Sequence, residues 1–580
     1  MTNVFPKTPR IDLYKVLFFS ILIPFNSSGQ EAPKKPEYIN PMAIPLDLSG
    51  NFMEPRSNHF HSGLDMRTQG QEGVPVRAVA DGWISRIKIS PWGYGKAVYI
   101  DHPNGYTSVY GHLQQLKGTA LEACLAAQYK QKDFSVDITP EKGTIPVAQG
   151  EVFALSGNTG GSGGPHLHFE LRKTSSQLAL DPEALGINVP DKIPPEIIGV
   201  RLYAVTDTSR IGPYPPKALG FATQGSAGKY GLKAGEQPTA YGTVALALHT
   251  IDRYDGMAAK FGVRKIELFV DNIPAFSASF DAIDFNTNRY CNAHVDFALY
   301  KGSKMEYHRC YELPNNKLRI YGKEPAQGHI ELPPGSTKHV RFKVTDANGN
   351  VSELAFMLKG ATAEGSATWT GRTEEGSLFR YDTENVLAED GVRMTLPALS
   401  LYDDTYVTYL RKPPPAKAFA PLHVLNNVLT PIQSNCEVRI DAPDLPERLR
   451  SKALIVSMDG KTEPCGGTYA DGAITAKVRS FGSYTVMVDT VPPVISNVDL
   501  RNDMKGRSSF TLNITDNLSG IDTWTGLLDG KWILLEYDPK RNALVHTFDE
   551  QSDGTGTRAF SLELTDERGN KARYELKFTR

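Results

Sequence analysis

Cysteine is scarce in this chain of 580 residues: there are five, and none forms a Cys-x-x-Cys array. A structural zinc ribbon, which needs thiolates in close pairs, is therefore disfavoured. An excess of charge is also missing. Lys and Arg number 63 against 65 Asp and Glu, a net charge of -2. No strong global field is available, which argues against a nucleic-acid binder. Long apolar runs are absent as well, since spanning a bilayer takes about 20 apolar residues. The run Val16 to Phe25 is shorter and follows Lys7, Arg10 and Lys15. This is the pattern of a secretory signal peptide, with cleavage expected around Ser27 to Gly29. No cysteine follows the run, so a lipid-anchored N-terminus is not expected. The mature protein is expected to be exported and soluble, in the periplasm or outside the cell, with no transmembrane span.

The cysteines present fit that compartment. Cys291 with Cys310, and Cys436 with Cys465, are local pairs in β-rich regions where disulfides are plausible. Cys124 is left over in a helical-looking stretch, and reduced, buried thiols are the other reading for all five. At roughly 150 residues per domain the length suggests about four domains. With 40% hydrophobic and 9% aromatic residues the chain can build ordinary cores.

The pattern along the chain is mainly β. After a leader (1–30) and a Pro-rich linker (31–44), residues 45–188 alternate short β-branched and aromatic runs with Gly and Pro turns. Thr119 to Lys132, rich in Ala, Leu, Gln and Lys, predicts an inserted helix. Asp191-Lys-Ile-Pro-Pro195 returns as Asp489-Thr-Val-Pro-Pro493, and Thr345-Asp-Ala-Asn-Gly-Asn350 returns as Thr565-Asp-Glu-Arg-Gly-Asn570. This internal repeat resembles the immunoglobulin-like modules of bacterial surface proteins. It predicts β-sandwich modules at 190–360, with an insertion around the two middle cysteines, and at 489–580. Residues 361–488 form a further β-rich module of unknown type.

Three stretches of the first block carry chemistry: His61-Ser-Gly-Leu-Asp65, Tyr110-Gly-His112 and His166-Leu-His168. Imidazole nitrogen and carboxylate oxygen both suit zinc. His61 and Asp65 flank Gly63, which lets the backbone fold them toward one point. His166 and His168 are two apart on a predicted strand and so share a face. A metal with three protein ligands leaves two imidazoles over. His59 is a second candidate ligand, read first as a groove-lining residue. His102 is read as a solvated or capping residue in a turn. The Gly157–Gly164 loop lacks the Gly-Lys-Ser/Thr of a phosphate loop and more simply turns the chain into the His166 strand.

The order HxxxD, then x-Gly-His, then a Gly-rich loop and His166-Leu-His-Phe-Glu-Leu171 resembles the lysostaphin/LytM-type zinc endopeptidases, over about a quarter of the chain. The resemblance implies an antiparallel-sheet metallopeptidase domain of duplicated hybrid motif type. It implies one zinc ion held by His61, Asp65 and His168, and catalytic roles for His112 and His166. It also implies hydrolysis of peptide bonds in bacterial peptidoglycan. The C-terminal β modules carry no catalytic constellation and are expected to position the enzyme at the wall or at an envelope partner. The alternative from the same family is a non-catalytic wall-binding protein or an activator of another hydrolase. The insertion at Thr119 to Lys132 is expected to wall or cap the groove.

Overall fold

In the computed structural model, which describes residues 38–212, 217–361 and 374–580, a period of two decides the sheet that carries the site. The strand His166–Lys173 alternates Leu167, Phe169 and Leu171 with His166, His168, Glu170 and Arg172. Side chains two apart share a face, so one face of this strand is apolar and the other is polar. Leu167, Phe169 and Leu171 are fully buried with Leu64, Met66, Ile84, Val98 and Ile100. Truncating one buried aromatic such as Phe169 would cost about 3–5 kcal/mol.

The sheet is antiparallel, with path order Leu48–Gly50, Leu64–Arg67, His166–Lys173, Tyr106–Gly111, Lys96–Asp101, Gly82–Ile89 and Val136–Ile138. Its register places His168 between Asp65 on one neighbour and Gly111 on the other. A small second sheet, Pro75–Arg77, Val152–Leu155 and Gln115–Leu116, closes over the apolar face. Tyr110 is fully buried there, edge-on to Phe153 at 4.8 Å, and its hydroxyl accepts a hydrogen bond from the Val79 amide.

The predicted insertion folds as the helix Gly118–Gln131 and buries Ala120, Cys124 and Gln128, one side chain per turn. Tyr129 on the same helix meets the last module, edge-on to Trp532 and hydrogen-bonded to Asp549 at 2.5 Å. Lys96 pairs with Glu536, and Leu534 joins the core of the first block.

The chain beyond residue 190 is strand-rich. An eleven-stranded sheet includes Glu196–Ala204, Thr239–Ile251, Thr337–Thr345 and Val351–Gly360. The first sheet runs on into this region, because Ala179–Leu180 pairs with Ala282–Ile283. Phe52, Met53 and Phe60 also pack in its core, so packing crosses the boundary expected at 188–190. Two five-stranded sheets follow, and then two four-stranded sheets formed by residues 494–579.

All five cysteines are free thiols, the second of the two readings that the sequence left open. Cys436 and Cys465 lie in strands of different sheets, and Cys291 and Cys310 are each fully buried among apolar side chains. Among the described residues no helix is long and apolar enough to cross a membrane. The expected leader and the linker as far as residue 37 lie outside the described residues.

Candidate metal and catalytic centre

Two glycines let the site form. A Cβ on Gly63 would lie 2.2 Å from the Phe169 carbonyl oxygen, so only glycine lets the His61–Asp65 turn lie against the His166 strand. Gly160 has φ +69, and its Cβ would meet Gly95 N at 2.3 Å. The Gly-rich loop therefore seats on the Trp92–Gly95 turn, with the Gly161 amide donating to the Gly93 carbonyl.

Register and turns bring three atoms together. His61 Nε2 lies 3.0 Å from Asp65 Oδ1 and 3.1 Å from His168 Nδ1, which is 2.9 Å from Asp65 Oδ1. All three side chains are buried. A tetrahedral zinc ion with bonds of about 2.1 Å sets its ligand atoms about 3.4 Å apart. The observed triangle is close to one face of that tetrahedron, and its two nitrogens and one oxygen are zinc donors.

Hydrogen bonds choose which atom of each ligand faces the triangle. His61 Nδ1 donates to the Asn51 carbonyl at 2.7 Å, and His168 Nε2 donates to Glu170 Oε1 at 2.8 Å. A carbonyl or carboxylate can only accept, so each facing nitrogen carries the proton. The other nitrogen of the neutral ring then keeps its lone pair for a metal. Arg56 holds Asp65 Oδ2 at 2.9 Å and is itself paired with Glu54, leaving Oδ1 for the triangle.

The same logic applies to the two remaining histidines. His112 Nδ1 donates to the Thr159 carbonyl and His166 Nδ1 to the Gly164 carbonyl, both at 2.8 Å. Each ring is left with Nε2 as its lone-pair nitrogen. The rings lie 4.8 Å apart, and His166 Nε2 is 3.4 Å from Asp65 Oδ1. His112 has φ 59, a left-handed conformation uncommon outside glycine, and its amide is fixed by the Tyr94 carbonyl.

Charge is arranged to match. Burial would raise the Asp65 pKa, but His61, with hydrogen bonds from His166 and His168, holds it well below the usual carboxylate range. Burial opposes protonation of His168, yet Asp65 and Glu170 outweigh it and push the pKa up to about 9. The triangle therefore favours a positive species. Burial, with His168 and His166 alongside, pushes His112 down to about 3, so this ring is neutral at neutral pH.

Glu170, which the sequence motif contains without marking a role for it, organises much of the centre. Fully buried, it accepts from His168, from Ser62 at 2.6 Å, from Tyr94 at 2.5 Å and from Arg172 at 2.6 Å. Burial raises its pKa, but Arg172 and His168 more than reverse that. The Tyr94 ring stacks on His168 at 5.1 Å. Period-two alternation from His168 was the available signal for Glu170. Asn51, Arg56 and Thr159 had none. Glu170→Gln should weaken zinc affinity about 10–100-fold, because the carboxylate that orients His168 is lost. Competition with a chromogenic chelator measures this, and unchanged affinity would reject the role.

The other histidines fall outside the triangle. His59 is exposed, with Nδ1 at 3.0 Å from the Ser57 carbonyl. His102 is not the solvated turn residue expected. It is buried, between the Asp81 carbonyl and the Ser108 hydroxyl, each at 2.8 Å.

Residues 59–123 match peptidase family M23, and residues 376–489 match a Zu5-like domain, which types the module left unnamed at 361–488. DD-carboxypeptidase/endopeptidase Mpg of Neisseria meningitidis serogroup B is 34% identical over 132 residues, 23% of this chain and 24% of that protein. The murein hydrolase activator EnvC of Escherichia coli is 33% identical over 104 residues, 18% of this chain and 19% of that protein. The chain spans about a quarter of the length of the first of these relatives. The crystallised catalytic domain of lysostaphin from Staphylococcus simulans is 24% identical, covering 24% of this chain and 86% of that one, with a TM-score of 0.17.

Proposed function

Because this chain carries a peptidase family M23 domain, we propose that it is a zinc-dependent endopeptidase hydrolysing peptide bonds of bacterial peptidoglycan. The observation that carries the reading is the triangle of His61 Nε2, Asp65 Oδ1 and His168 Nδ1, with two further imidazoles beside it. When bound, zinc would polarise the scissile carbonyl and lower the pKa of a water ligand toward about 7.

The protein's own groups do the rest. His61, Asp65 and His168 hold the metal, and Asn51, Arg56 and Glu170 orient them. With both Nδ1–H groups pinned, His112 and His166 are proton acceptors at Nε2. Whichever takes the attacking water's proton becomes an Nε2–H donor. It can then hydrogen-bond the oxyanion and protonate the leaving amine.

The match to an activator supports a second reading, in which the domain binds wall and stimulates another hydrolase. Incubating zinc-loaded protein with purified sacculi separates the two. Mass spectrometry should find new peptide termini in the soluble fraction, and none would appear if the protein only binds or activates. We also propose that the C-terminal modules place the catalytic unit at the wall or at an envelope partner. Protein lacking 489–580 should then sediment with the sacculi less well than the full chain, and equal sedimentation would reject that role.

A further inference from the structure

The repeat seen in the sequence has a third element that appears once the strands are placed. Leu248-His-Thr-Ile-Asp252-Arg-Tyr-Asp255-Gly256 corresponds to Leu512-Asn-Ile-Thr-Asp516-Asn-Leu-Ser519-Gly520. Each copy brings three aspartates together from its three motifs: Asp191, Asp252 and Asp346 in the first, and Asp489, Asp516 and Asp566 in the second. Their supporting bonds repeat as well. The Asp255 amide donates to Asp191 as the Ser519 amide donates to Asp489, and Asn350 Nδ2 bridges Asp191 O and Asp346 as Asn570 Nδ2 bridges Asp489 O and Asp566.

In the first copy the cluster is incomplete as a set of protein groups. All three carboxylates are buried, and one oxygen from each lies within 4.8 Å of the others. Asp252 has no solvent exposure, and neither of its oxygens accepts a well-formed hydrogen bond, the Arg253 backbone amide being a protein donor that only partly favours its charge. None of the ion pairs among the described residues involves these three side chains. An unpaired carboxylate in such a place is costly unless a counter-charge accompanies it. Burial first, then Asp346 and Asp191, push the Asp252 pKa up to about 9, with only partial relief from the Arg253 amide. Glu183 stands near the same cluster, hydrogen-bonded by Tyr254 at 2.6 Å, and is pushed up to about 8 by burial and by neighbouring carboxylates.

We propose that Asp191, Asp252 and Asp346 form a calcium site at the junction where the chain leaves the catalytic block. An all-oxygen donor set selects a hard cation. Calcium bonds of about 2.5 Å reach oxygens up to about 5 Å apart and tolerate irregular geometry, whereas magnesium needs a near-regular octahedron and keeps several waters. A site closed around a fully buried Asp252 favours calcium. The ion would tie three segments together: the Asp191 linker, the end of the Thr239–Ile251 strand and the turn after Thr337–Thr345. Asn348 already bonds the Val189 carbonyl across this junction at 3.1 Å. In the second copy Asp516 is only half-buried, and although its Oδ1 is also without a partner, its Oδ2 accepts from two backbone amides, so the demand for a cation is weaker.

The test uses the full zinc-loaded chain, freed of calcium by dialysis, and reads calcium directly. Equilibrium dialysis with radioactive calcium should show binding. Thermal unfolding in millimolar calcium should shift upward by about 3 °C or more. Asp252→Asn, isosteric and uncharged, should lose that binding and that shift while keeping its zinc, and Asp516→Asn should keep both. Should Asp252→Asn fail to fold, Asp191→Asn takes its place with the same expectation. Wild-type protein that binds no calcium, that binds magnesium instead, or whose calcium binding survives Asp252→Asn would overturn the proposal.

Discussion

His168→Ala should remove zinc and turnover together. Its Nδ1 is one corner of the ligand triangle, and two corners give a closed catalytic site too few protein ligands. Zinc measured by mass spectrometry after desalting should fall from stoichiometric to a small fraction. On the proposed function, release of soluble wall peptides should drop by at least about 10³-fold, since bound zinc would supply both the activated water and the carbonyl polarisation. The change also strips Glu170 of a buried donor, and breaking such a pair costs about 3–5 kcal/mol. His168→Gln therefore accompanies it as a variant that keeps a polar side chain there. A folded His168→Ala protein that still carried stoichiometric zinc would reject the ligand assignment.

His112→Asn should have the opposite signature, with zinc retained and turnover lost. His112 Nδ1 is committed to the Thr159 carbonyl, and the ring stands beside the triangle rather than in it, 5.9 Å from the His168 ring. Removing a proton acceptor costs about 10²–10⁴-fold in rate, with little effect on the metal. Asparagine is the better replacement because the backbone here has φ 59, which asparagine tolerates and most residues do not. Full activity in this variant would remove His112 from the mechanism. Loss of zinc would instead move it among the ligands.

How much of this was legible depended on the range of each interaction. The strand His166–Lys173 could be read as a strand because its alternation is local, and Glu170 could have been read by continuing the same period from His168. The helix Gly118–Gln131 was visible from composition within one residue at each end. His102 misled because a turn position says nothing about what covers it, and here the Asp81 carbonyl and Ser108 hydroxyl do. Closeness along the chain left a Cys436–Cys465 pair open, and only the folded chain shows both as free thiols, on strands of different sheets.

The third repeated aspartate shows the same limit from the other side. Asp191 and Asp346 stood out because their motifs recur with Pro-Pro and Gly-Asn beside them. Asp252 lies in a stretch with no such marker, and it becomes conspicuous only because folding buries it without a well-formed hydrogen bond or an ion pair.

The order of motifs by itself determined which side chains could meet a metal: His61, Asp65, His112, His166 and His168, with spacings that place them at turns and strand ends. Tertiary structure alone decided which nitrogen of each ring faces the centre. Histidine offers two nearly equivalent nitrogens, and the choice falls to whichever acceptor pins the other one. For His61 that acceptor is the Asn51 carbonyl, and the Asn51 side chain is clamped in both directions by the backbone of Gly262, 211 residues away. Contacts of that range leave no period or spacing to read, because they exist only after the chain beyond residue 190 has packed against the catalytic sheet.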